Sequence, residues 1–232
     1  MRPNDLSEIH TLTLFKKMDE NNFAAIIQAA YLQNFPAQVQ LANEGDDADF
    51  LFFVIEGCVE LFAAANGREA TMAMVGPSES FILAAVLKDA PYLMSARTTE
   101  KSRVLMIPAQ NIRDAFEKDE AFARTIILEL AECYRTVIKD YKNLKLRTAV
   151  ERLANRLLEF HCEQEETGVI ELPYDKKRLA ALLGMTPENL SRAFLTLKPY
   201  GVIVRGSKIT LNDMKGLITL AKPNQLIDRH TK

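Results

Sequence analysis

From Glu120 to Leu146 the chain repeats apolar residues at alternating intervals of four and three: Ala123, Ile127, Leu130, Tyr134, Val137, Tyr141 and Leu144. This is the a/d seam of a two-stranded coiled coil. No proline or glycine interrupts it. Arg124, Glu129, Glu132, Arg135, Lys139, Asp140, Lys142 and Lys145 give the remaining faces a mixed-charge surface that water can solvate. At ~1.5 Å per residue the seam is roughly 30 Å long, more than one small domain hides. Such a helix either packs along its own chain or pairs with a second copy. The length and the charged flanks point to the seam of a parallel homodimer joining two domains. Ile126, Leu128 and Ile138 lie off the seam and leave a second flank to cover a neighbouring domain.

The 232 residues are 48% hydrophobic, enough for a sizeable core. No apolar run approaches the ~18 residues of a membrane span. The opening MRPNDLSEIHTL has no apolar signal core. Cys58, Cys133 and Cys162 are far apart and odd in number, which argues against a disulfide frame and for a reducing cytoplasm. The net charge of −2 makes no global demand for nucleic acid, but between Tyr174 and Lys208 seven basic residues face two acidic ones. A local basic patch on an acidic chain is an electrostatic footprint for a polyanion.

Residues 4–34 read as short helices, with Phe23, Ile26, Ile27 and Ala30 at helical spacing. They form a packing cap without chemistry. Residues 36–110 read as strands. Phe50–Ile55 ends at Glu56-Gly57, and Val59–Phe62 leads to the hairpin signal Asn66-Gly67. Thr71–Val75 ends at Gly76-Pro77, and Arg103–Ile107 ends at Pro108. Short strands with regular turns suggest a small antiparallel sandwich or jelly roll. Phe81–Leu87 lacks alternation and suits a short helix in the barrel wall.

Residues 147–167 read as a further helix with the stripe Val150, Leu153, Ala154, Leu157 and Leu158. Arg147-Thr148 is the hinge before it, and Glu163–Gly168 a polar turn after it. His161 and Cys162 are helix neighbours about 100° apart, so they do not form a nucleophile–base pair. Asp175 caps a helix running through Leu183, with Leu179, Ala180, Leu182 and Leu183 inward, and Gly184 makes a turn. Thr186-Pro187-Glu188 opens the next helix with a hydroxyl cap, proline at the first position and an acid in the first turn. Leu190, Phe194 and Leu197 face inward, and Glu188, Asn189, Ser191, Arg192 and Thr196 face outward. Two short helices around a glycine turn, then a hairpin Val202–Leu211 with a basic tip, make a winged helix-turn-helix. On the outward face Arg192 can fork onto guanine, Glu188 can accept from a cytosine amino group, and Ser191 can touch either neighbour. Lys176, Lys177, Arg178, Lys198, Ser207 and Lys208 are the phosphate candidates, setting affinity and its salt dependence rather than sequence preference. Met214 to Lys232 reads as a polar-ended helix.

Glu44-Gly45-Asp46, the run Phe52 to Val59, Gly76 to Phe81, and Ala90-Pro91-Tyr92 leading into Ser95-Ala96-Arg97 resemble the cyclic-nucleotide-binding barrel of the CRP/FNR family of bacterial transcription regulators. With the long helix and the region after it, the resemblance covers nearly the whole chain. It implies an α+β fold: a cyclic-nucleotide-binding-like antiparallel β jelly roll at 1–118, a dimerisation helix at 119–146 and a winged helix-turn-helix domain at 147–232. It also implies DNA and RNA polymerase as partners, and no enzymatic activity. In family members that bind cyclic AMP, Ser-Phe is followed by Gly-Glu, and the Glu holds the ribose. Ile82 and Leu83 stand there. The phosphate-binding Arg-Ser pair appears as Met94-Ser95, and the adenine-contacting hydroxyl residues as Val137 and Ile138. Burying a cyclic phosphate without a cation or aligned donors costs several kcal/mol, so cyclic AMP is not the expected ligand.

The residues Phe53, Leu83, Met94, Val137 and Ile138 would make an apolar pocket, suited to an apolar or flat ligand such as haem or else filled by its own side chains. An iron–sulfur cluster of the family's type needs four thiolates, and three cysteines cannot supply them. His10, His161 and His230 show no haem-attachment spacing. Glu188-Asn189-Leu190-Ser191-Arg192 fits the E-x-x-S-R pattern of FNR-like and nitrate-respiration regulators, the nitric-oxide-responsive branch, and implies a TTGAT half-site. Pro187, where cyclic-AMP-type members carry Arg, agrees. A ligand-binding adaptor acting through protein contacts is the alternative of a different class. It predicts no salt-dependent DNA binding.

Overall fold

The computed structural model describes residues 2–164 and 168–228. The chain divides into two compact units, Met1–Cys133 and Tyr134–Lys232.

The first unit begins with α1 (Pro3–His10) and α2 (Glu20–Ala29), followed by β1 (Tyr31–Phe35), β2 (Gln40–Ala42), β3 (Phe50–Glu56), β4 (Val59–Ala65), β5 (Arg68–Val75) and β6 (Ser80–Phe81). Then come α3 (Leu83–Lys88), β7 (Ser95–Thr98), β8 (Ser102–Pro108), α4 (Ala109–Lys118) and α5 (Glu120–Leu146), which continues into the second unit. The strands form two antiparallel four-stranded sheets, in the orders β1-β8-β3-β6 and β2-β7-β4-β5. Leu51 and Val54 of one sheet share a buried core with Val59, Leu61 and Ala96 of the other.

β3 shows no polar alternation because both of its faces are covered. Phe52 stacks on Phe81 at 5.0 Å, while Phe53 turns to the helical layer and packs on Phe15 at 5.2 Å. Phe15 in turn stacks on Phe122 of α5 at 6.1 Å. The Asn66-Gly67 signal produces the β4–β5 hairpin. Both residues take positive φ, 53° and 71°, as a type I′ turn requires.

The N-terminal stretch departs from the all-helical expectation. α2 stops at Ala29, and Tyr31–Phe35 pairs with β8 as a strand. The free ladder of β8 overrides the weak helical pattern there. Asp19 caps α2, accepting from Asn21 N and Asn22 N. Asp119 accepts from Phe122 N (2.9 Å), Asp19 N (2.8 Å) and Asn22 Nδ2 (3.1 Å), so one buried carboxylate fastens the starts of α2 and α5. Burial alone would raise its pKa. These donors outweigh that and hold it below the usual carboxylate value.

The second unit holds the rest of α5, then α6 (Ala149–Glu163), β9 (Val169–Glu171), α7 (Lys176–Leu182), α8 (Pro187–Leu197), β10 (Val202–Arg205), β11 (Lys208–Leu211) and α9 (Met214–Ala221). α6 begins later than the expected residue 147, because Thr148 and Glu151 form a capping box that breaks the chain from α5. Its buried face is Leu153, Ala154, Leu157 and Leu158 of the expected stripe with Phe160 and the polar Asn155 added, while Val150 is only partly buried. The expected polar turn at 163–168 and helix end at 167 fall partly on residues 165–167, outside the described residues. The wing hairpin is present, with Val202 opposite Leu211 and Arg205 opposite Lys208. β9, too short to show a pattern, adds a third strand to β11. The final helix is shorter than the expected 214–232. It ends at Lys222, which turns left-handed (φ 47°) before Pro223, and proline cannot continue a helix. Residues 229–232, His230 among them, lie outside the described residues.

Candidate nucleic-acid interface

α7, the turn and α8 each start on a signal carried by their own residues. The Asp175 carboxylate accepts from Arg178 N at 2.8 Å and starts α7. Gly184 takes φ 62° in the turn, a conformation glycine adopts without a steric cost. The Thr186 hydroxyl accepts from Asn189 N at 3.3 Å, and Pro187 opens α8. Leu190, Ala193, Phe194 and Leu197 bury one stripe of α8 at helical spacing. The opposite face is therefore open, and Glu188, Asn189, Ser191, Arg192 and Thr196 are all exposed. The Ser191 hydroxyl donates to Pro187 O and the Thr196 hydroxyl to Arg192 O, which orients both along the helix. The pKa of Glu188 is lowered, first by its own backbone N–H at the helix start, then by the Thr186 hydroxyl and by the charge of Arg192.

The residues expected to meet phosphates surround this face in sequence, with different freedom. Lys176, Lys177, Lys198, Ser207 and Lys208 are exposed. Arg178 is half-buried and pairs with Asp175 Oδ2 at 2.6 Å. Ser207 lies beside Glu171 of β9, its Oγ 3.5 Å from the carboxylate. Arg205, also exposed, stands opposite Lys208 in the hairpin.

A positioning residue that no sequence pattern marked is Arg152 of α6. Its Nε donates to Leu183 O at 2.8 Å, just before the glycine turn, and its Nη1 donates to Arg147 O at 2.7 Å. One side chain thus ties the turn that precedes α8 to the break that follows α5.

In the first unit, Phe53, Leu83 and Met94 share one apolar core. Phe53 is engaged by Phe15 on the helix side of β3, because adjacent strand residues point to opposite faces and Phe52 takes the other. Val137 and Ile138 belong to the second unit and are exposed. Two open cavities of about 400 and 290 Å³ do occur. They are lined by polar residues such as Asp49, Asp89 and Arg113, and by Gln40, Asp46 and Tyr92, and none of the five predicted residues lines either.

Around the family's phosphate position the polar groups already have partners. Ser95 Oγ accepts from Glu44 N at 2.9 Å. Arg97 lies over the Phe62 ring and pairs with Glu60 at 2.9 Å and Glu69 at 2.7 Å. Glu60 is 1% exposed and also accepts from the Thr71 hydroxyl. Ile82, standing where the cyclic-AMP pattern has glycine, takes the left-handed conformation (φ 69°), a strained one for a β-branched residue.

The seam of α5 is largely uncovered. Ile127, Tyr134, Val137, Tyr141 and Leu144 are 46–68% exposed, while Ala123 and Leu130 are half-buried. Among the described residues no disulfide joins Cys58, Cys133 or Cys162. Among the described residues no group of three or more His, Cys, Asp or Glu is placed to hold a metal ion, and no helix is long and apolar enough to cross a membrane.

Residues 32–119 match the cyclic nucleotide-binding domain model, and residues 151–220 match the Crp-like helix-turn-helix domain model. A Mycobacterium tuberculosis protein described as a CRP-like cAMP-activated global transcriptional regulator is 22% identical over 215 residues, covering 90% of this chain and 96% of that protein. The cyclic AMP receptor protein of Thermus thermophilus is 26% identical over 173 residues, covering 74% of this chain and 79% of that one. The structure of FixK2 from Bradyrhizobium japonicum superimposes with a TM-score of 0.72 at 23% identity, over 84% of this chain and 98% of that one, which shows a shared fold.

Proposed function

Because this chain belongs to the CRP/FNR family of transcription regulators and carries that family's DNA-binding helix-turn-helix, we propose that it is a homodimer reading a TTGAT-type palindrome, controlled by a signal other than cyclic AMP. One observation carries this reading: Glu188, Ser191 and Arg192 stand exposed together at the capped start of α8, the position from which a recognition helix meets base edges. Arg192 forks onto guanine and Glu188 accepts from cytosine, with Lys176, Lys177, Lys198, Ser207 and Lys208 on phosphates and Arg178 kept partly back by Asp175.

The dimer follows from the open seam of α5. A contiguous apolar stripe left in water marks an interaction surface, and its heptad spacing selects a second copy of the same helix. The working division is a sensor at 1–118, the pairing helix at 119–146 and the reader at 147–232, with RNA polymerase as the further partner. The Mycobacterium tuberculosis relative is described as cAMP-activated. Against carrying this over stand Leu83 and Met94 at the polar positions, and the prior engagement of Ser95 and Arg97. An apolar effector such as haem with nitric oxide, as in the nitrate-respiration branch, agrees better with these residues. Leu83 and Met94, in the apolar core of the first unit, are the residues that would meet it.

The test is fluorescence anisotropy of a duplex with TTGAT, four spacer bases and ATCAA, beside a scrambled duplex and one with TGTGA half-sites, at one fixed salt concentration. Binding at least tenfold tighter to the first is expected. Equal affinity for all three, or preference for TGTGA, overturns the assignment.

A further inference from the structure

The break between α5 and α6 is bridged by a segment that neither the helix-turn-helix nor the seam accounts for. After α9 the chain turns at Lys222, and residues 222–228 pass over the end of α5. Arg147 donates from Nη1 to Asp228 Oδ1 and from Nη2 to Oδ2, both at 2.6 Å, and each side chain is 6% exposed. Asp228 Oδ2 also accepts from Asn224 N at 2.6 Å, so the carboxylate closes its own turn as well. Lys142 of α5 donates to Leu226 O at 3.2 Å. Lys222 Nζ lies 3.3 Å from Glu151, the acid of the box that starts α6. The carbonyl of Arg147 is held by Arg152, whose Nε holds Leu183 O before the turn into α8.

We propose that Asp228 is a positioning residue for DNA reading: through Arg147 it stiffens the α5–α6 joint and so fixes the recognition helix against the end of the pairing helix. The inference rests on the reading of the protein as a dimer on a palindrome. Two recognition helices must meet half-sites about one DNA turn, roughly 34 Å, apart. A loose joint leaves the first half-site contact intact but lowers the effective concentration of the second reader at its own half-site. A buried two-pronged pair suits this task, since a guanidinium fork fixes direction as well as distance.

The experiment uses the full chain with Asp228→Asn, which keeps shape and removes charge. Affinity is measured on the TTGAT palindrome and on a duplex with a single half-site, with amide hydrogen exchange over residues 144–150. The expected result is about a tenfold loss on the palindrome, less than a twofold change on the half-site, and faster exchange at the joint. Equal losses on both duplexes would assign the pair to general stability and overturn the proposal, as would no change on either. Should Asp228→Asn fail to fold, Arg147→Lys keeps the charge but loses the fork. It must show the same palindrome-selective loss, and normal binding by it overturns the proposal. If the unsubstituted chain does not prefer TTGAT, the DNA reading itself falls and the proposal falls with it. That outcome is distinct because it appears before any substitution is made.

Discussion

A methyl group of Leu144 occupies the space where Gly184 would carry a side chain. A Cβ built on Gly184 lies 2.5 Å from Leu144 Cδ2, and Gly184 itself sits at φ 62°. The last residue of the α5 seam therefore rests on the turn that leads to the recognition helix. Gly184→Ala adds left-handed strain, about 1–2 kcal/mol, and pushes Leu144 away. Urea unfolding should show that loss. Adding Leu144→Ala should recover part of the steric share, giving a non-additive pair. Full additivity would mean the contact carries no energy.

The reader's chemistry separates into two kinds of contact. Arg192→Ala should cost ~1–3 kcal/mol on the TTGAT palindrome and relax selectivity at one base pair. Lys208→Ala should weaken all duplexes alike and lower the slope of log K against log salt by about one. Anisotropy titrations over a salt series distinguish the two. A uniform loss for Arg192→Ala would remove it from the base-reading set.

Dimerisation is expected to depend on the exposed seam. Val137→Glu places a carboxylate at the centre of the apolar stripe, where pairing would bury it at a cost of several kcal/mol. Sedimentation should show a monomer at concentrations where the unsubstituted chain is a dimer, with palindrome binding lost. An unchanged dimer would locate the interface elsewhere.

Acid should act on Asp119. Its folded pKa is lowered by backbone and side-chain donors despite burial. Its stabilisation is therefore present above the unfolded value of ~3.9 and is lost as pH falls through the lower folded value. Asp119→Asn should cost about 1.5–3 kcal/mol at pH 7 and flatten the acid limb of the stability curve. Urea midpoints at pH 7 and pH 3 check both arms. A parallel shift of the whole curve would show that the charge is not what matters.

Arg97 pairs with the buried Glu60. Arg97→Met should destabilise by about 3–5 kcal/mol, since it breaks a buried ion pair from one side. The double substitution with Glu60→Gln should be milder than Arg97→Met alone. Denaturant midpoints of the two variants decide this.

Long periodic or strongly punctuated segments were legible from the chain alone. α5 needed only its 3-4 spacing, and Asn66-Gly67 and Thr186-Pro187-Glu188 carry their geometry in their own side chains. What stayed hidden depends on partners far away in sequence. β1 becomes a strand because β8 offers a ladder, and β9 because β11 does. Phe52 and Phe53 look equivalent on the strand pattern until Phe15 claims one of them. Arg152 and the Arg147–Asp228 pair are invisible for the same reason. An isolated arginine carries no sign that a carbonyl 31 residues away, or a carboxylate 81 residues away, will face it.

Leu83 and Ile82 bear on how such a chain changes over evolutionary time. Leu83 is 6% exposed and part of the packed core, and Ile82 holds a backbone conformation suited to glycine. Glutamate at position 83 alone would drive a carboxylate into apolar surroundings at a cost of several kcal/mol. Arginine at position 94 alone would add a charge beside the same core. Each polar substitution is harmful until the others are in place, so a nucleotide-type site cannot be built here one residue at a time without passing through destabilised chains.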